Sequence, residues 1–101
     1  MPDPAQCQNM AELREMIDEL DRDLVRRLTI RQACIDRAIQ LKQQEELPAR
    51  IPARVEDVVS KVRAEAILQG ADADFLERIW RQLIDWSIAR EADVLEKKAE
   101  K

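Results

Sequence analysis

The chain contains no histidine and no tyrosine, and it has one glycine, four prolines and two cysteines among its 101 residues. Without histidine there is no His-based catalytic triad and no Cys/His zinc site, and Cys7 and Cys34 do not have metal-type spacing. Two such thiols suit a reducing compartment, so a cytoplasmic protein is expected. The aromatics are Phe75, Trp80 and Trp86 alone, which leaves the core to aliphatic side chains. A lone glycine offers little turn material for a sheet. No run of residues is long and apolar enough to span a membrane, and the opening Met-Pro-Asp-Pro does not read as a signal peptide. Positive charge is in deficit: 17 cations against 21 acids give a net charge of -4, which argues against nucleic acid as the main partner.

What the chain does have is Ala, Leu, Ile, Glu, Arg and Asp, an all-α composition at the size of one domain. An apolar stripe runs through Leu13, Ile17, Leu20, Leu24 and Leu28 and on to Ile35 and Ala38, in steps of three and four. That is one face of a helix without glycine or proline to interrupt it. Asn9 is a good N-cap, with Glu12 placed to complete a capping box. Pro48 and Pro52 end this helix near residue 46, so it spans roughly 50 Å at ~1.5 Å per residue. Such a helix is too long to be covered by short partners from its own chain, and a second copy is a natural way to bury it.

A second helix is expected over about 53–68, with Val55, Val58, Val59, Val62 and Ala66 on one face and Gly70 as its C-terminal cap. A third is expected to about Lys97, opened by Asp74 with Glu77 and striped by Leu76, Trp80, Leu83, Ile84, Val94 and Leu95. The domain organisation reads as a lead-in over 1–8, one helical domain over 9–97 and a frayed tail over 98–101. Cys34, beside the first stripe, is expected to be a small core residue. Trp80 and Trp86 are expected in core or interface rather than as a stacking platform.

Polar residues interrupt these stripes. The steps from Leu28 and Ala38 land on Arg31 and Lys42, those of the third helix pass through Ser87 and Glu91, and Arg14 and Arg54 lie at stripe edges. An unpaired buried charge costs several kcal/mol, so each needs a partner. One reading is a structural ion network, such as Glu91 with Lys42 or Arg31, that fixes helix register. The other starts from the imbalance, since Arg14, Arg31, Lys42 and Arg54 face the single acid Glu91. Surplus positive charge in an acidic protein asks for an anion, and a small dicarboxylate fits, each carboxylate gripped by an arginine fork with Lys42 as a point donor.

The combination of L-R-E-M-I-D-E-L-D at 13–21, Leu24, Leu28, Arg31, Lys42, Arg54 and D-W-S-I-A-R-E at 85–91 resembles the all-helical chorismate mutase family over residues 9–95. The resemblance implies a three-helix protomer with a long first helix, intertwined as a helical-bundle homodimer with two active sites. It implies that Arg14 crosses to the other protomer's site to bind a carboxylate and that Arg31 binds the second. Lys42 would contact the ether oxygen that is cleaved, and Arg54 and Ser87 would complete the carboxylate and ring contacts. Glu91 stands where bacterial relatives carry a Gln that donates to the same oxygen; some fungal mutases have Glu there. The implied reaction is the Claisen rearrangement of chorismate to prephenate in aromatic amino acid biosynthesis, without cofactor, metal, nucleophile or base.

The chain departs from the family pattern in two places. A carboxylate donates no hydrogen bond, so Glu91 must carry a proton to replace Gln, and activity favoured at mildly acidic pH is expected. Val55 stands where mutases place a Glu that holds the ring hydroxyl. The related isochorismate-pyruvate lyases of salicylate biosynthesis lack that Glu, and the proline-containing loop and Trp86 also resemble them, whereas Ser87 resembles the mutases. The mutase is the preferred expectation and the lyase the alternative. A catalytically silent helical dimer or interaction module is a third possibility, opposed by the destabilising cations that the scaffold retains.

Overall fold

The computed structural model describes residues 3–99, with the backbone alone for 97–99. Three α-helices follow a short 3-10 turn at Pro4–Gln6: α1 over Met10–Glu45, α2 over Pro52–Gln69 and α3 over Ala73–Ala99. The fold is all-α, with a first helix much longer than the other two. The helix α3 thus extends past Lys97, and the rest of the expected tail, residues 100 and 101, lies outside the described residues. No helix among the described residues is long and apolar enough to cross a membrane.

Local chemistry sets the ends. Asn9 Oδ1 accepts from Glu12 N at 2.9 Å while Glu12 Oε2 accepts from Gln8 N at 2.8 Å, so acid and amide together satisfy donors at the α1 entry. Pro52 stands in the first turn of α2, where its missing N–H costs nothing. Gly70 closes α2 in the left-handed region at φ 76°, and the Ala71 N–H donates to Ala66 O at 2.8 Å. The cap of α3 is not Asp74. Asp72 holds that place, its Oδ1 accepting from Phe75 N at 3.1 Å, because the helix starts two residues earlier than the Asp74–Glu77 spacing suggests. Asp74 and Glu77 instead both accept from Arg63, at 3.0 and 2.9 Å.

The chain forms two units, Met1–Cys34 and Ile35–Lys101, and α1 contributes to both. In the first unit the expected stripe is present but uncovered: Ile17, Leu20, Leu24 and Leu28 are exposed, Leu24 at 56%. Cys34 is also exposed, contrary to the expectation of a core thiol, because its position beside the stripe turns it outward from a helix with no cover there. Asp23 pairs with both Arg26 and Arg27, and these neighbours hold its carboxyl below the usual range, Arg27 most strongly.

The second unit has the core. Ile39, Ala49, Val59, Ala66 and Ile84 are buried, and burying a side chain such as Val59 or Ile84 contributes about 1.5–3 kcal/mol. A chain of ion pairs joins α2 to α3: Arg81 reaches Glu56 at 3.0 Å and Glu77 at 2.8 Å, and Glu77 also meets Arg63. Across the unit, Arg90 donates to both oxygens of Asp36, at 2.6 and 3.1 Å, and ties α3 to the last part of α1.

Candidate active site

In the second unit, α1 and α3 bring two of the out-of-place residues together. Lys42, in the last turn of α1, places Nζ 2.6 Å from Glu91 Oε1 on α3. Glu91 is 4% exposed and Ser87, one turn earlier, 3% exposed. Both follow the α3 stripe into the interior, as the three-and-four spacing requires. Ser87 Oγ donates to Leu83 O at 2.8 Å, so its hydroxyl is supported by the preceding turn of its own helix.

The contact between Lys42 and Glu91 is an ion pair without the alignment of a hydrogen bond. Glu91 Oε1 is buried and no donor is directed along it. The aligned acceptor for the ammonium is main chain: Lys42 Nζ donates to Ala49 O at 2.7 Å. An ammonium has three N–H groups and the bond to Ala49 uses one, so Lys42 retains donor capacity for a further acceptor. The arrangement is a buried donor centre on an α1–α3 seam, with a carboxyl whose oxygen lacks a donor. Once protonated, that carboxyl would itself donate.

The remaining candidates occupy different settings. Val55 is half-buried on α2. Arg54 beside it is exposed, and its guanidinium is drawn to Asp57 at 2.6 Å, one turn along the same helix. Arg14 is exposed and Arg31 half-buried, both on the part of α1 that belongs to the first unit.

Three features of the second unit were missed in the sequence. Arg90 lies 5.3 Å from the centroid of the Trp86 ring, and Trp86 is 47% exposed, outside the core. The i,i+4 spacing of these two residues was a readable signal for that stacking. Arg50, in the connection between α1 and α2, meets Asp85 at 3.3 Å. The Ala49 carbonyl is a backbone atom, and residue type carries no signal for it.

Comparison with known proteins agrees with this arrangement of helices. Residues 13–100 match the family described as chorismate mutase type II. The chain belongs to that family. It is 35% identical over 92 residues to the isochorismate pyruvate lyase of Pseudomonas aeruginosa, an alignment covering 90% of this chain and 89% of the lyase. It is 32% identical over 82 residues to the T-protein of Haemophilus influenzae, covering 81% of this chain and 22% of that longer protein. Membership places the chain among enzymes of the chorismate mutase and lyase kind.

Proposed function

We propose that the protein is a chorismate mutase, rearranging chorismate to prephenate as a cytoplasmic homodimer. The observation that carries the proposal is the buried Lys42–Glu91 pair, 2.6 Å apart on the α1–α3 seam. In the rearrangement the ether C–O bond breaks as a C–C bond forms, and negative charge builds on the ether oxygen. A remaining N–H of Lys42 and a protonated Glu91 would donate to that oxygen, in a setting where water competes little. Arg14, Arg31 and Arg54 would hold the two carboxylates and select the reactive diaxial conformer, with Arg54 leaving Asp57 to do so. Ser87 and Val55 would line the ring. The reaction is unimolecular, so the side chains need only position the substrate and stabilise charge.

The uncovered α1 stripe supports the homodimer. Ile17, Leu20, Leu24 and Leu28 form an apolar ridge on a helix that a second copy would bury, and Arg14 would be contributed across that interface.

Elimination of pyruvate from isochorismate is a second reading, favoured by Val55 at the place of the hydroxyl-binding Glu and by the near end-to-end similarity to a lyase. The deciding experiment supplies chorismate and isochorismate separately to the purified protein and identifies products by chromatography. Prephenate as the faster product supports the mutase; salicylate and pyruvate as the faster products replace it with the lyase. No turnover of either would remove both readings.

A further inference from the structure

The residues between α1 and α2 form more than a connection. Glu46 has φ 57°, and among the described non-glycine residues it alone has positive φ. The Leu47 N–H returns to Lys42 O at 2.9 Å, which closes the helix end in the manner of a Schellman turn. Pro48 then fixes the next φ. Ala49 is buried, and its carbonyl accepts from Lys42 Nζ at 2.7 Å. Lys42 is therefore held twice by the segment that follows it, at its own carbonyl by Leu47 and at its ammonium by Ala49.

We propose that Glu46 is a positioning residue for Lys42: its left-handed backbone turns the chain so that the Ala49 carbonyl aims the ammonium. Glu91 supplies the opposite charge but has no aligned hydrogen bond, so it fixes where the ammonium sits more than how it points. Ala49 supplies direction. The left-handed conformation suits glycine and is tolerated by Asn, whereas a side chain branched at Cβ opposes it. The backbone at residue 46 should therefore control the orientation of Lys42, whatever charge that residue carries. The catalytic meaning of this positioning rests on the proposed mutase or lyase function, but the positioning itself does not.

The test is trace labelling of lysines with acetic anhydride in the folded protein, with Lys42 measured by mass spectrometry against Lys61, whose ammonium is exposed. The variants are Glu46→Val, Glu46→Asn and Glu46→Gly. Glu46→Val should raise labelling of Lys42 relative to Lys61 by about three-fold or more as the turn opens, while Asn and Gly stay at or below the parent. In the same preparations kcat should fall about ten-fold for Glu46→Val, with KM little changed, because the misplaced group acts on the reacting atoms. A lower melting temperature with unchanged Lys42 labelling would reduce Glu46 to a structural role and overturn the proposal. Equal increases in all three variants would assign the effect to lost charge and overturn it too. If Glu46→Val does not fold, Glu46→Gly decides: Lys42 labelling at or below the parent supports the proposal, and faster labelling overturns it. Labelling needs no substrate, so a failure of the functional reading would appear as absent turnover beside an unaltered labelling result.

Discussion

Glu91 Oε1 lies 2.6 Å from Lys42 Nζ, yet the Lys42 hydrogen bond is directed to the Ala49 carbonyl. A buried carboxyl oxygen is thus beside a cation without an aligned donor, where a proton on the carboxyl would turn an acceptor into a donor. Glu91→Gln makes that donor permanent. The variant should exceed the parent in kcat, because its donor does not depend on a bound proton. Losing one such donor costs about 10²–10³ in rate, which sets the scale of the difference. The check is kcat against pH for both proteins; identical profiles would exclude a catalytic proton on Glu91.

Val55 is half-buried and apolar, and in the proposed site it would stand where the ring hydroxyl of chorismate is held. Val55→Glu should raise chorismate turnover relative to isochorismate turnover, since a site that hydrogen-bonds a hydroxyl discriminates against a substrate carrying it elsewhere. The ratio of kcat/KM for the two substrates is the readout. A ratio unchanged by the substitution would deny Val55 a role in specificity.

Leu24 provides a test of the homodimer. On an isolated chain it is a surface residue, where a change to lysine moves stability by about 0.5 kcal/mol or less. Beneath a second copy, Leu24→Lys would bury a charge and cost several kcal/mol. Sedimentation should show loss of the dimer, with a melting temperature that falls and depends on concentration in the parent. An unaltered sedimentation coefficient and melting temperature would remove the second copy from that face.

Arg81 holds Glu56 and Glu77 below their ordinary value of 4.5, chiefly through its hydrogen bonds to them. Depressed carboxyls contribute stability that is full above that value and is lost as pH falls through the lowered folded-state values. Arg81→Gln should lower stability slightly at neutral pH and leave it equal to the parent in strong acid, so the acid limb becomes shallower. Added salt should shrink the difference, because the groups are exposed. Urea titrations across the acid range would show this, and parallel curves at all pH values would count against it.

Periodicity made much of the fold legible. The steps of three and four put Ser87 and Glu91 on the inward face of α3 and Val59 and Ala66 on that of α2, and the lone glycine marked where α2 stops. Spacing alone pointed to Asp74 as the cap of α3, whereas Asp72, two residues earlier, takes that place. Cys34 lay close enough to the stripe to suggest burial, yet the stripe itself is exposed along this part of α1 and Cys34 is exposed with it. Arg54 pairs with an acid three residues along its helix, a local choice that the spacing of the stripes did not reveal. Side-chain choices among several partners, and backbone carbonyls such as that of Ala49, are set in three dimensions and leave no mark in residue type.

The scarcity of aromatics has a spectroscopic consequence. With no tyrosine, the near-ultraviolet signal comes almost wholly from two indoles in different surroundings. Trp80 is half-buried and lines, with Ala66 and Leu76, an open pocket of about 210 Å³, whereas Trp86 lies exposed under the Arg90 guanidinium. Trp86→Phe would leave a single emitter that follows the opening of the α2–α3 pair. Trp80→Phe would leave one whose emission changes when Arg90 swings away from Asp36. The native chain thus carries two separable fluorescent reporters, one for each seam of its second unit.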